Sequence, residues 1–195
     1  MIGSLLPWKR NVFVDGGGND GCSVRKFRKE LDPRGRFDIY TFEPNPLYGK
    51  CYEGVARHTL IPAALHDRDG TQSFFLDRED GDGSTLFENK LTSANGGYGT
   101  LDTESPMEVR TIDLSRWIAS ELSGNDHLVL KLDVEGAEYD ILEKMFAEGT
   151  ITRVRRLFIE WHWFKVGIPQ ERHDRLVERL AQARIPVEEW DARGY

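Results

Sequence analysis

Three charged residues on one short segment have the types and spacing of a proton-transfer site. Lys131, Asp133 and Glu135 alternate along the segment Leu128 to Gly136, so a strand there places their side chains on one face. Burying charges on a central strand is unfavourable unless they form ion pairs or take part in chemistry. Lys131 and Asp133 therefore either neutralise each other or act together, with the Asp133 carboxylate taking a proton from a substrate hydroxyl.

Glu160 and His162 form a second charged pair at the C-terminal end of a predicted strand, Val154 to Trp163. Ligands bind at this end of the strands in an open α/β sheet. Because an unperturbed histidine titrates at about pH 6.5, His162 can accept a proton at neutral pH. Asp133 and His162 are therefore the leading candidates for a general base, and Glu160 is expected to orient His162 or the substrate.

The same residues also offer ligands for a divalent cation. Asp133, Glu160 and His162 would supply two carboxylates and one imidazole, a set that divalent ions accept. Their spacing does not require a metal, so a metal-free site is the preferred prediction. The other four histidines show no ligand spacing: His58, His66, His127 and His173.

A glycine-rich loop, Asp15 to Gly21, follows an apolar run and precedes a predicted helix. Glycines permit a tight turn and close approach of a ligand, and the helix N-terminus offers N–H groups to an anion. Glu43 ends the next predicted strand about 20 residues later, where acids bind ribose hydroxyls. The spacing Gly16-x-Gly18-x-x-Gly21 fits a dinucleotide. The spacing Asp15-x-Gly17-x-Asn19-x-Gly21 fits S-adenosylmethionine equally well, because an acid suits its ammonium group.

Segments of strand and helix character alternate along the chain and must position these residues. Apolar runs predict strands, and apolar stripes at helical spacing predict helices between them. One helix is expected to follow Asp113, whose side chain can cap it. This alternation indicates an open, mostly parallel α/β sheet with helices on both faces. The predicted strands are residues 11–15, 37–42, 60–65, 72–76, 128–134, 154–163 and 187–190.

Residues 77–107 form the least regular part of the sequence, with five glycines among polar side chains. A loop of this length in a compact domain is usually either a functional cover or poorly ordered. We predict that it covers the acceptor site and becomes ordered when a ligand binds.

The composition is that of a globular protein with a single domain over residues 1–195. Its 26 basic and 33 acidic side chains give a net charge of −7, which argues against a nucleic-acid binder. Two cysteines indicate neither a disulfide framework nor a metal cluster. No apolar run reaches the roughly 20 residues of a membrane span. The apolar run within residues 1–10 is too short for a signal peptide. We expect a cytoplasmic protein without membrane or nucleic-acid partners.

Four sequence blocks carry a resemblance to a known family. The blocks are Val14–Gly21, Phe42–Pro46, Lys131–Glu138 and Ile159–His162. Together they resemble the FkbM family of S-adenosylmethionine-dependent O-methyltransferases, and the Lys-x-Asp-x-Glu-Gly-x-Glu block is the most specific part. The resemblance implies a Rossmann-like class I methyltransferase fold. Because the chain ends at Tyr195, it also implies a sheet that lacks the last antiparallel strand or forms it with another subunit.

The resemblance implies a place for each cofactor-binding residue. The methionine end of S-adenosylmethionine would be lined by Asp15, Gly17, Asn19 and Gly21. Glu43 would hold the ribose diol, with Asn45 beside the adenine. Ala64 would offer its backbone near the base, and Ser84 matches a serine that the family often has before the catalytic strand.

The activity that the resemblance implies is transfer of a methyl group to a hydroxyl of a sugar, glycan or glycoside. Asp133, His162, Glu160 and Lys131 would form the catalytic group. Two alternatives stay open: a non-catalytic module that binds a nucleotide or S-adenosylmethionine, and a nicotinamide-dependent oxidoreductase. The sequence does not predict the oligomeric state.

Overall fold

A six-stranded parallel sheet forms the centre of the computed structural model, which describes residues 9–78, 83–92, 99–192 and 195. Its strand order is β3-β2-β1-β7-β8-β9, and every neighbouring pair is parallel. The predicted open α/β sheet is therefore confirmed. The strands are β1 (Asn11–Gly16), β2 (Phe37–Phe42), β3 (His58–Ile61), β7 (His127–Leu132), β8 (Val154–Ile159) and β9 (Val187–Glu189).

Helices cover both faces of this sheet, as predicted. Helix α1 (Cys22–Glu30) packs Val24 and Phe27 against Phe13 of β1 on one face. Three helices pack on the other face, against alternate residues of β1 such as Val12: α2 (Leu114–Glu121), α3 (Glu138–Glu148) and α4 (Gln170–Gln182). The predicted cap of α2 is present, because the side chain of Asp113 accepts a hydrogen bond from the backbone N–H of Arg116 at 3.0 Å.

A second, three-stranded sheet lies beside the first. It consists of β4 (Ala64–His66), β6 (Met107–Asp113) and β5 (Gly70–Phe74), with β4 parallel and β5 antiparallel to β6. The prediction of one strand over residues 60–65 is wrong, since these residues belong to β3 and β4 of different sheets. Pro62 separates them, and a proline has no N–H to continue the hydrogen-bond ladder of a strand.

Strands β7 and β8 end earlier than predicted, at Leu132 and Ile159. Glu135 and Gly136 have φ values of 53° and 121°, which an extended strand cannot adopt. The candidate residues after these ends, Asp133 among them, therefore lie on loops. Strand β9 is added parallel to β8, and no antiparallel strand belongs to the six-stranded sheet among the residues described. Within the same residues, no helix has the length and apolarity needed to cross a membrane.

Candidate cofactor and acceptor site

A cleft of about 600 Å³, including space open to solvent, lies where β1, β2 and β7 end. Parallel strands bring their C-terminal loops to one edge of the sheet. The loop after β2, with Glu43, and the loop after β7, with Asp133, therefore both reach the cleft. Glu43 lies on the wall at the end of β2, and Asp133 lies on the wall at the end of β7. Predicted residues that line the cleft are Gly17, Asn19, Glu43, Asn45, Ala64, Ser84 and Asp133.

The glycine loop packs tightly against the segment that follows β7. Gly17 has a φ of 75°, and a Cβ on it would lie 1.8 Å from the carbonyl oxygen of Asp133. Only glycine fits such a position without a shift of the backbone. Asn19 also has a left-handed φ, of 45°, a conformation that asparagine tolerates better than most residues. Gly21, with a φ of 83°, precedes α1 and does not belong to the described cleft wall.

Lys131 and Asp15 lie beneath this loop and are fully buried. The ammonium of Lys131 donates hydrogen bonds to the carbonyl oxygens of Gly16 at 3.1 Å and Gly17 at 2.6 Å. It also lies 3.3 Å from a carboxylate oxygen of Asp15 and 3.3 Å from one of Asp133. Burial lowers the pKa of Lys131, but the two carboxylates outweigh it and raise the pKa above its usual range. Neither Lys131 nor Asp15 lines the described cleft wall.

Glu43 joins the glycine loop to the loop that follows β2. Its two carboxylate oxygens accept hydrogen bonds from the backbone N–H groups of Asn19 at 2.8 Å and Asn45 at 2.7 Å. Burial raises the pKa of Glu43 to about 7, although both hydrogen bonds act in the opposite direction. Because each carboxylate oxygen can accept more than one hydrogen bond, Glu43 can still receive two hydroxyl groups from a ligand.

Asn45 and Ser84 have structural partners as well as a place in the cleft. The side chain of Asn45 accepts a hydrogen bond from the backbone N–H of Leu47 at 3.1 Å and caps a 3-10 helix, Pro46–Tyr52. The Ser84 hydroxyl accepts one from the backbone N–H of Asp77 at 3.0 Å. Apolar side chains that sequence reasoning did not assign also line the wall, among them Leu65, Phe74, Leu86 and Val134.

His162 lies in a cluster of carboxylates and is fully buried. Its Nε2 is 3.4 Å from Glu135, 3.4 Å from Glu160 and 3.9 Å from Asp133. Burial lowers the pKa of His162, but the carboxylates around it, Glu138 foremost, raise the pKa to about 10. A histidine that already holds its proton does not accept another at neutral pH. Of the two predicted base candidates, this environment favours Asp133.

Sequence reasoning missed the role of Glu138, the first residue of α3. One of its carboxylate oxygens lies 2.9 Å from Nδ1 of His162. The two oxygens also accept backbone hydrogen bonds from Val134 at 2.9 Å and Gly136 at 3.0 Å. Glu138 thus fixes both the imidazole and the turn after β7. An acid at the N-terminus of a predicted helix was the available signal.

Part of the predicted cover, residues 83–92, packs across the carboxylate cluster. The Thr85 hydroxyl donates to the carbonyl oxygen of Glu135 at 2.7 Å, and the ammonium of Lys90 lies 2.8 Å from the Glu135 carboxylate. Lys90 is buried, and it was also missed from the sequence. Residues 79–82 and 93–98 of the predicted loop lie outside the described residues, and its ordering by ligand stays a prediction.

The parallel sheet, the glycine loop after β1 and the acid after β2 define a Rossmann-like protein of the class I methyltransferase type. A family model described as the methyltransferase FkbM domain matches residues 15–193. The chain therefore belongs to the FkbM methyltransferase family, and the family suggested by the four sequence blocks is confirmed.

A solved structure gives the same fold. The crystal structure of methyltransferase FkbM from Methylobacillus flagellatus KT aligns with a TM-score of 0.51 and 13% sequence identity. The alignment covers 94% of this chain and 40% of that one, so the present chain spans less than half of its length. A comparison with curated protein sequences gives no match.

Proposed function

We propose that this chain is an S-adenosylmethionine-dependent O-methyltransferase that acts on a hydroxyl of a sugar, glycan or glycoside. The observation that carries the proposal is that Glu43 and Asp133 line the same cleft. The first suits a ribose diol, and the second suits a hydroxyl that must lose its proton. Membership of a methyltransferase family supports methyl transfer as the reaction.

The residues of the cleft wall support an assignment of the cofactor-binding roles. Glu43 would accept the two ribose hydroxyls, with Asn45 and Ala64 towards the adenine and Ser84 facing them. Gly17 and Asn19 would lie at the methionine end, while Asp15 and Gly21 would shape the loop from behind. When bound, S-adenosylmethionine supplies a methyl group that its sulfonium already activates.

The protein then has to align the acceptor oxygen and remove its proton. Asp133 is suited to this role because it lines the cleft next to Gly17, and Lys131 holds its second oxygen at 3.3 Å. Asp133 and Glu135 line this end of the cleft, and the Glu160 carboxylate lies 3.4 Å from His162. Carboxylates accept hydrogen bonds from hydroxyl groups, which favours an acceptor rich in hydroxyls such as a sugar.

Calorimetric binding of S-adenosylhomocysteine tests the cofactor. We expect Glu43→Ala to weaken binding by about 10- to 100-fold, because hydrogen bonds to a charged group contribute about 1.5–3 kcal/mol. Glu53→Ala, which changes an exposed glutamate next to the same 3-10 helix, is the matched control and should bind as the wild type does. Binding of NAD in preference to S-adenosylhomocysteine would instead favour the oxidoreductase alternative.

The affinity for S-adenosylhomocysteine should also depend on pH through Glu43. With a pKa of about 7, the carboxyl group is ionised in about one-tenth of the molecules at pH 6 and about nine-tenths at pH 8. Only the ionised form accepts both ribose hydroxyls, so the dissociation constant should rise about tenfold as the pH falls from 8 to 6. Calorimetry across this range measures the change. Glu43→Gln cannot titrate, and a pH profile that persists in this variant would assign the effect to another group.

A further inference from the structure

Three ligand-bearing side chains converge where the loops after β7 and β8 meet. Asp133, Glu135 and His162 each offer an atom, and these atoms all lie within 4.8 Å of one another. Nε2 of His162 is 3.4 Å from the Glu135 carboxylate and 3.9 Å from that of Asp133. Two ligands at about 2.1 Å from the same ion lie about 3–4 Å apart, so these distances suit a shared cation.

The histidine is oriented as a metal ligand would be. Nδ1 of His162 lies 2.9 Å from the Glu138 carboxylate and donates a hydrogen bond there, so Nε2 is the nitrogen that can bind a metal when the imidazole gives up its second proton. Nε2 is buried and has no hydrogen-bond partner among the residues described. A carboxylate that fixes one imidazole nitrogen while the other nitrogen binds a metal is a recurrent arrangement in metalloproteins.

The charges of the side chains around His162 favour the binding of a divalent cation. Within the described residues, five carboxylates and three ammonium groups are linked by ion pairs around His162. These groups carry one net negative charge while the imidazole holds its second proton, and two once a metal displaces that proton. The carboxylates are Asp15, Asp133, Glu135, Glu138 and Glu160, and the ammonium groups are Lys90, Lys131 and Lys165. Unbalanced charge next to buried groups such as Glu138 and His162 is unfavourable, and an ion of charge +2 would balance it.

We propose that Asp133, Glu135 and His162 bind one divalent cation of the Mn²⁺ or Zn²⁺ class, with Glu138 positioning the imidazole. One nitrogen and two oxygen ligands favour these ions over Mg²⁺ and Ca²⁺, which prefer oxygen alone. The set differs from the ligands considered from the sequence, because Glu135 takes the place of Glu160. The ammonium of Lys90, 2.8 Å from the Glu135 carboxylate, competes with the ion.

The role that the ion would have in the reaction rests on the proposed function. An ion held there would bind the acceptor hydroxyl and lower the pKa of that hydroxyl. Asp133 would then be a ligand rather than the proton acceptor, and the proton would pass to Glu160, whose side chain is about half exposed. Ion binding itself does not depend on methyl transfer and can be measured on the protein alone.

Titration of chelator-treated protein with Mn²⁺, followed by electron paramagnetic resonance, tests the site, and calorimetry with Zn²⁺ repeats it. We expect one ion per chain. Loss of a residue that hydrogen-bonds to a metal ligand weakens metal binding about 10- to 100-fold. Glu138→Gln should therefore weaken Mn²⁺ binding by this factor, and Glu135→Gln, which changes a ligand, should weaken it at least as much. Glu108→Gln, an exposed glutamate on β6, should leave the affinity unchanged.

The proposal is overturned if Glu135→Gln binds Mn²⁺ as tightly as Glu108→Gln does, or if the wild type binds neither ion at millimolar concentration. Lys90→Met gives a second test that does not remove a ligand. It should bind Mn²⁺ more tightly than the wild type, and unchanged affinity would contradict the site. S-adenosylhomocysteine binding is measured on the same samples. If the protein binds S-adenosylhomocysteine but no ion, the metal site is wrong and the proposed function stands. If it binds the ion but not S-adenosylhomocysteine, the proposed function is wrong and the metal site stands.

Discussion

Replacing Asp133 by asparagine should lower the turnover number for methyl transfer by about 10²- to 10⁴-fold, the usual contribution of a positioned general base. Asparagine keeps the size of the side chain but cannot take a proton, and it is a poor ligand for a cation. S-adenosylhomocysteine should bind with nearly wild-type affinity, because the backbone of Asp133, which contacts Gly17, is unchanged. The measurement is transfer of a labelled methyl group to a panel of sugars and glycosides, beside calorimetry of cofactor binding.

The control for Asp133→Asn is Asp174→Asn, which changes an exposed aspartate on α4. It should keep wild-type turnover. If Asp133→Asn also keeps it while Glu160→Gln loses it, the proton acceptor is Glu160. If neither variant loses activity, the carboxylate cluster is not the acceptor site, and the proposed chemistry is wrong although cofactor binding can still hold.

The cofactor half of the site could be predicted because its signals are local. Gly17 needs a left-handed φ and has no space for a Cβ, so the requirement appears in the sequence as glycine. Strand β2 has the predicted bounds, because an apolar run that ends in Glu43 and Pro44 specifies both its length and its end. Glu43 then reaches the cleft through the parallel pairing of β1 and β2 alone.

The acceptor half depends on contacts that no local pattern encodes. Lys90 meets Glu135 from a segment 45 residues earlier in the chain, and His162 meets Glu138 across 24 residues. The alternation of Lys131 with Asp133 is typical of one strand face, but β7 ends at Leu132 and the backbone at Glu135 is left-handed. The carboxylates that raise the pKa of His162 are brought to it by helix α3 and by the loops after β7 and β8, so this pKa could not be predicted from the residue type.

Replacing Lys131 by methionine should destabilise the protein by about 3–5 kcal/mol, the usual effect of removing one partner of a buried ion pair. The change leaves Asp15 buried without its ammonium partner, and it removes hydrogen bonds to the carbonyl oxygens of Gly16 and Gly17. For a domain of this size, that loss lowers the melting temperature by about 10 °C. Thermal unfolding followed by calorimetry measures it.

A double-mutant cycle separates the ion pair from lost packing. Asp15 and Lys131 occupy paired positions of β1 and β7, so their side chains meet on one face of the sheet. Removing the charge of Asp15 as well should therefore restore part of the stability, and Asp15→Asn/Lys131→Met should unfold at a higher temperature than Lys131→Met. Lys50→Met, at an exposed lysine, should leave the melting temperature unchanged. Additive effects of the two substitutions would mean that Lys131 stabilises the protein through the two carbonyl groups and Asp133, without a contribution from Asp15.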